Sequence, residues 1–210
     1  MNFIINFFVA AVLMGTTLMY GTLGEILTEK SGNMNLGVEG LVYMGGSSGL
    51  IAAFLYERAA GANAVPMVAV ILAFVAAFLA AALGSLLYAF LTITLRTNQN
   101  VTGLALTIFG VGYGEFFGEY FRQIGDGRLQ ISEAAGGIFS QPLLPAFLRN
   151  IPVVGKMLFS YNFMIYLVLV IAIVMAWYFS RTRSGLCLRA VGEDPGTADA
   201  AGISVTRYKY

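Results

Sequence analysis

Uncharged apolar stretches alternate with short polar clusters along this chain, and about 20 residues suffice for one helical crossing of a hydrocarbon layer. On that measure the pattern predicts five membrane-spanning helices, over residues 3–23, 35–56, 65–90, 101–120 and 161–180. The third apolar run extends over residues 65–95, 31 residues in all. That is about 46 Å of helix against a hydrocarbon core of about 30 Å, so it must tilt or leave the bilayer at one end. Pro66 suits the first turn of that helix, where a missing N–H costs nothing. The first segment has neither a basic flank nor a small-residue cleavage site, so it is expected to remain as a span rather than be removed as a signal.

Residues 121–160 break the pattern. They carry Arg122, Asp126, Arg128, Glu133, Arg149 and Lys156 with three prolines and five glycines, which makes a continuous helix unfavourable. The apolar patch at residues 138–147, interrupted by Pro142 and Pro145, is expected to lie at the interface or to re-enter partway rather than to span. Small residues recur at four-residue spacing as Gly45, Gly49 and Ala53, as Ala76, Ala80 and Gly84, and as Gly110, Gly114 and Gly118. Such stripes let helix backbones approach where lipid offers no hydrophobic drive for association. The expected fold is therefore all-α, a polytopic transmembrane bundle forming one domain over residues 1–210.

Composition strengthens this assignment. Of the 210 residues 58% are hydrophobic and only 11% charged, against roughly 25% charged in an average soluble domain. A net charge of +1 supplies no basic field for nucleic acid, which is not expected as a partner. The chain has no histidine and a single cysteine, Cys187, so metal, disulfide and hydrolytic chemistry are disfavoured. Lys and Arg flanking spans favour the cytoplasm. Arg181, Arg183 and Arg189 then put the C-terminal tail inside. The Arg96 turn and a loop at residues 25–30 follow on the same side, with residues 121–160 and the N-terminus outside.

Polar residues at membrane depth are expensive and usually face a bundle interior or a wet cavity. Asn33, Asn35 and Glu39 interrupt the start of the second span among glycines at 32, 37, 40, 45 and 46. Asn35 and Glu39, four apart, are expected on one helical face. They would either line a pathway or end a helix at the membrane surface. Asn98, Gln99, Asn100 and Thr102 open the fourth span with groups that bond sugar or base edges without charge, although Asn and Thr also cap helices. Glu115 and Glu119 share a face near the other end of that helix, as an outer vestibule or as a surface pair with Arg122. Gly110, Gly112 and Gly114 do not fit a dinucleotide fingerprint, and Gly155-Lys156 lacks the rest of a phosphate loop. No cofactor is expected, and ATP would have to be bound by another subunit.

The tail reads RTRSGLCLRAVGEDPGTADAAGISVTRYKY. Asp194 and Pro195 fit an N-cap and first helical position, and Gly202 fits the stop. Together with SGNMNLGVEGLVYMGG at residues 31–46, the stretch at residues 182–209 resembles the permease subunits of ABC importers of the branched-chain amino acid and ribose type. NLGVEG is most similar to the nucleoside and simple-sugar branch, as is NQNVTGLALTIFG at residues 98–110.

The resemblance implies a homodimer or heterodimer of permeases in the cytoplasmic membrane. Each would bind a cytoplasmic ATPase and receive its substrate from an extracytoplasmic binding protein. Residues 181–210 would form a cytoplasmic coupling segment. Arg189, Gly192, Glu193, Asp194, Pro195, Ala198, Ala201 and Gly202 would form or support its docking helix, and the chain itself would be no enzyme. Members of the family continue with further spans, so this chain is expected to be C-terminally truncated. A branched-chain amino acid permease, or a carrier or channel working without ATP, stand as alternatives.

Overall fold

The computed structural model describes residues 2–125, 127–145, 147, 151 and 154–210. Asp126 and Arg149 of the long connection, and Ala146 of its apolar patch, lie outside the described residues. Ten helices are described, with no strand among the described residues: α1 (Asn2–Lys30), α2 (Val38–Ala60), α3 (Pro66–Ala89), α4 (Gln99–Ile124), α5 (Glu133–Ser140), α6 (Val154–Leu158), α7 (Phe163–Arg181), α8 (Arg183–Glu193), α9 (Pro195–Ala200) and α10 (Val205–Lys209). Five segments are long and apolar enough to cross a membrane: Ile5–Lys30, Val38–Asn63, Pro66–Thr94, Gln99–Ile124 and Phe163–Arg181.

The expected spans are all present, with shifted ends. Residues 25–30 are not a loop but the last turns of α1. Helix α2 starts at Val38 rather than at residue 35, because residues 33–37 run non-helically before it. Helix α4 starts two residues early, at Gln99, since Asn98 caps it by accepting from the Asn100 and Val101 amides at 3.0 and 3.1 Å. Pro66 opens α3 as expected. The excess length of that apolar run is resolved by a π-helical turn at Phe90–Thr94, closed by Leu95 N–H to Phe90 O at 3.1 Å. A wider turn of this kind rotates the helix end without breaking its hydrogen bonds.

Helix α2 is the centre of the bundle, packed between α3 and α4, while α1 lies against α7 at the side. Of its most apolar window 44% is buried, against 6% for α1. Glycines explain the contrast. A Cβ at Gly40 would lie 2.5 Å from Leu106 O, and one at Gly49 would lie 2.9 Å from Ala73 O. A Cβ at Gly110 would strike the Gly40 carbonyl. The stripes on α2 and α4 thus let three backbones meet, except that Gly118 has nothing within 4 Å. Outward faces carry Phe78 and Ile173, 73% and 69% exposed, apolar surface of the kind that marks contact with a membrane or with other protein.

At one end of the bundle the 121–160 connection folds back on the spans. Its first residues, up to Ile124, continue α4. Glu57 accepts from the amide and hydroxyl of Ser132 at 2.7 and 2.6 Å, and Ser132 caps α5. Helix α5, with Ile131 just before it, then packs Ala135, Ile138 and Phe139 against Ala53, Ala69 and Val70. The opposite end gathers the C-terminus of α1, the starts of α2 and α4, and the tail.

Candidate functional site

Helix α1 stops at Gly32, whose φ of +80° only glycine adopts cheaply. The Gly32 amide reaches Glu29 O at 2.9 Å and the Asn33 amide reaches Thr28 O at 3.2 Å, the double closure of a Schellman motif. Beyond it the chain alternates: Ser31, Asn33, Asn35 and Gly37 are buried, while Met34 and Leu36 face outward. Polar side chains therefore point inward and apolar ones outward. Asn35 Oδ1 accepts from the Gly37 amide at 2.9 Å, a local turn that holds the backbone out of helix.

A non-helical stretch packed among helices leaves backbone groups without ladder partners, and buried backbone groups are normally paired. Side chains from three helices supply them here. Gln99 of α4 accepts from the Met34 amide at 2.8 Å, and its Nε2 reaches Asn33 Oδ1 at 3.4 Å and Gly32 O at 3.5 Å. Tyr88 of α3 donates to Met34 O at 2.6 Å, and Thr107 of α4 donates to Leu36 O at 2.9 Å. Glu25 of α1 accepts from the Asn35 amide at 2.9 Å. Gly103 gives α4 room to approach, since a Cβ there would lie 2.7 Å from Leu36 N.

Beside this segment lies a cavity of about 230 Å³ lined by Asn33, Thr92, Ile93, Arg96, Gln99, Val205, Thr206 and Lys209. Arg96 holds a φ of +55°, an uncommon conformation for a bulky residue. Neutral amides and hydroxyls form the inner wall, and two cations flank it. Among the described residues no three His, Cys, Asp or Glu side chains cluster so as to hold a metal ion. The arrangement can hydrogen-bond a polar molecule.

Of the residues singled out by sequence, the structure brings Asn33, Asn35 and Gln99 together. The expectation that Asn35 and Glu39 share a helical face fails. Asn35 precedes α2 and is buried, whereas Glu39 sits exposed in its first turn. Asn98 is a cap, and Thr102 is tied to Asn98 O at 2.8 Å and to the Thr97 hydroxyl at 2.9 Å. Asn100 is exposed. Glu115 and Glu119 lie about 24 and 30 Å along α4 from Gln99 at 1.5 Å per residue, so they belong to no common site with it. Glu119 pairs with Arg122 at 2.7 Å and accepts from Gln123 at 3.1 Å. Sequence reasoning missed Glu25, Tyr88, Thr92 and Thr107. Only their polar atoms within apolar runs could have marked them.

The tail forms a compact hook. Thr182 caps α8 by accepting from the Gly185 amide at 3.0 Å, and α8 buries Gly185, Leu188 and Val191 on one face. Arg189 and Glu193 lie 4.0 Å apart on its exposed side. Asp194 accepts from the Gly196 and Thr197 amides at 2.9 and 3.2 Å, opening α9 at Pro195. The Thr197 hydroxyl and those amides hold the Asp194 carboxyl below the usual aspartate range. Gly202, at φ +79°, ends the turn after Ala201. Ala198 is buried, so it packs within the hook and cannot face a docking partner, whereas Glu193, Pro195 and Ala201 are exposed. The whole helix α8, unexpected from sequence, precedes α9.

Comparison with known proteins agrees with this architecture. TsgC13 of Haloferax volcanii, which bears the name of a glucose ABC transporter permease protein, is 32% identical over 100% of this chain and 58% of its own length. The nucleoside ABC transporter permease protein NupC of Lactococcus lactis is 31% identical over 95% of this chain and 59% of its own. The guanosine ABC transporter permease protein NupQ of Bacillus subtilis is 31% identical over 96% of this chain and 62% of its own. The chain thus spans about three-fifths of the length of these relatives. No solved structure matches. Residues 6–210 match the family described as the branched-chain amino acid transport system permease component, and this multi-pass membrane chain belongs to that family.

Proposed function

We propose that this chain forms part of the membrane-spanning permease of an ATP-driven importer for a nucleoside or a simple sugar. The observation that carries the proposal is the segment at residues 31–37, which buries Asn33 and Asn35 inside a bundle of spans and opens beside Gln99 onto a cavity. Neutral amides suit ligands rich in hydroxyl and base edges, because they donate and accept without adding charge to a low-dielectric site. Relatives named for nucleoside, guanosine and glucose transport support the same ligand class.

In this proposal Asn33, Asn35 and Gln99 line or support the substrate route near its cytoplasmic end, and residues 121–160 face the opposite side. Two permeases flank the route, and an extracytoplasmic binding protein delivers substrate to it. Residues 193–202 dock on a cytoplasmic ATPase. Closure of two such ATPases on ATP pulls the hook and biases the spans between outward-open and inward-open states, a shift limited by the differential affinity of the docked states. The chain orients and moves; hydrolysis belongs to the partner.

Competition uptake by the complete transporter in vesicles tests this. Excess nucleoside or ribose should suppress uptake of labelled nucleoside, and leucine should not. Preferential transport of leucine would overturn the ligand class.

A further inference from the structure

The hook and the polar segment meet at two glycines. A Cβ at Gly32 would lie 3.1 Å from Gly192 Cα and 3.2 Å from Gly192 O. In the opposite direction, a Cβ at Gly192 would strike Lys30 O and lie 3.0 Å from Gly32 N. No side chain intervenes, so no rotamer change can absorb a relative movement of the two backbones. Helix α8 is clamped in place by Leu188 and Val191, both buried on the side that carries Gly192. The contact is therefore stiff.

Its position in the chain gives it meaning. Gly192 lies two residues before Asp194, which opens the proposed docking helix α9. Gly32 lies one residue before Asn33, whose Oδ1 accepts from Gln99 and whose side chain lines the cavity. The distal side of the same cavity is formed by Val205, Thr206 and Lys209 of α10, and the Tyr210 hydroxyl bonds that of Thr94, the last residue of the π-helical turn. The hook thus touches the amide wall at the ends of the spans.

We infer that Gly32 and Gly192 are positioning residues for transport, forming the joint through which a displacement of the docking helix moves Asn33 against Gln99. This rests on the importer proposal and adds to it where the force enters the substrate route. Glycine is required at both positions, at Gly32 for its backbone angle and at Gly192 for the close approach.

The experiment uses the complete transporter with its ATPase and binding protein, reconstituted in vesicles, measuring ATP hydrolysis and nucleoside uptake together. Gly192→Ala should retain hydrolysis yet lower uptake per ATP by about 5- to 150-fold, the usual range of a coupling between two sites. Gly24→Ala, on α1 with nothing within 4 Å, should change neither. Parental uptake per ATP in Gly192→Ala overturns the joint.

A second measurement leaves both glycines intact, in case Gly192→Ala does not assemble. Met34 is 47% exposed, and only its backbone takes part in the network. In Met34→Cys with Cys187→Ser, the rate of thiol modification should differ between nucleotide-free and ATP-trapped transporter. An identical rate in an uptake-competent protein overturns the joint. Ala201→Glu separates the two levels: parental uptake there refutes docking through the hook itself, whereas loss there with normal Gly192→Ala refutes only the joint.

Discussion

Two polar clusters sit at opposite ends of α4, and they are satisfied by opposite means. At one end Asn33, Asn35 and Gln99 are drawn into the bundle, and side chains from α1, α3 and α4 close the backbone of residues 32–37. At the other, Glu119 and Arg122 pair within a single turn of one helix and stay exposed. Both clusters interrupt apolar sequence in the same way. The difference lies in the backbone: where the helix is broken, polar side chains become its hydrogen-bond partners, and where it is continuous they are left to one another. The first arrangement pairs backbone groups that would otherwise lack partners; the second is worth little.

The sharpest way to break the comparison is steric. Gly110→Val would drive side-chain carbon into the Gly40 backbone, whereas Gly118→Val meets open space. Backbone cannot give way as a flexible side chain can, so Gly110→Val should cost about 3 kcal/mol or more, at the top of the usual overpacking range. Thermal unfolding in detergent should show this loss, with Gly118→Val near the parent.

Hydrogen-bond deletions come next. Gln99→Ala orphans the Met34 amide and Tyr88→Phe orphans the Met34 carbonyl. Each should cost about 0.5–1.5 kcal/mol, the net worth of one hydrogen bond at a partly exposed segment, and read out as a lower unfolding midpoint together with reduced uptake. Glu119→Gln at the second cluster should leave uptake within about twofold of the parent, as expected of an exposed pair. Comparable losses at both clusters would erase the distinction between them.

The smallest effect is expected in the hook. Folding lowers the Asp194 pKa through bonds from Thr197 and Gly196. The cap therefore adds stability above the ordinary aspartate value, about 3.9, and this is lost as pH falls from there through the folded-state value. Exchange of the Gly196 and Thr197 amides, followed by hydrogen–deuterium exchange, should show their protection fall over that window, and Asp194→Asn should remove the pH dependence.

Much of this fold was legible because apolar length and charge gaps are local signals. The five spans, Pro66 at its helix start and Asp194 at its cap all follow from neighbours in sequence. The site was legible only in part. Asn33, Asn35 and Gln99 stood out as polar groups in apolar surroundings, but Tyr88 and Thr107, which bond the Met34 and Leu36 carbonyls of the same segment, are 54 and 71 residues away from the atoms they bond. The Asn35–Glu39 pairing failed because a four-residue spacing means one face only if the helix is already formed, and Gly37 with the Asn35 turn delays it to Val38. Helix α8 was hidden by its small residues, whose role is close approach and not propensity. Ala198 looked like a docking residue and is buried because the hook folds over it.

Substrate protection at residue 33 tests the role of the buried segment most directly. With Asn33→Cys in a Cys187→Ser background, a small hydrophilic thiol reagent is applied to inward-facing complete transporter, with and without saturating nucleoside. Nucleoside should slow modification at residue 33 and leave a control cysteine in place of Gly118 unaffected. Equal modification rates at residue 33 with and without nucleoside, in a transporter that still takes up substrate, would contradict a substrate route along residues 31–37.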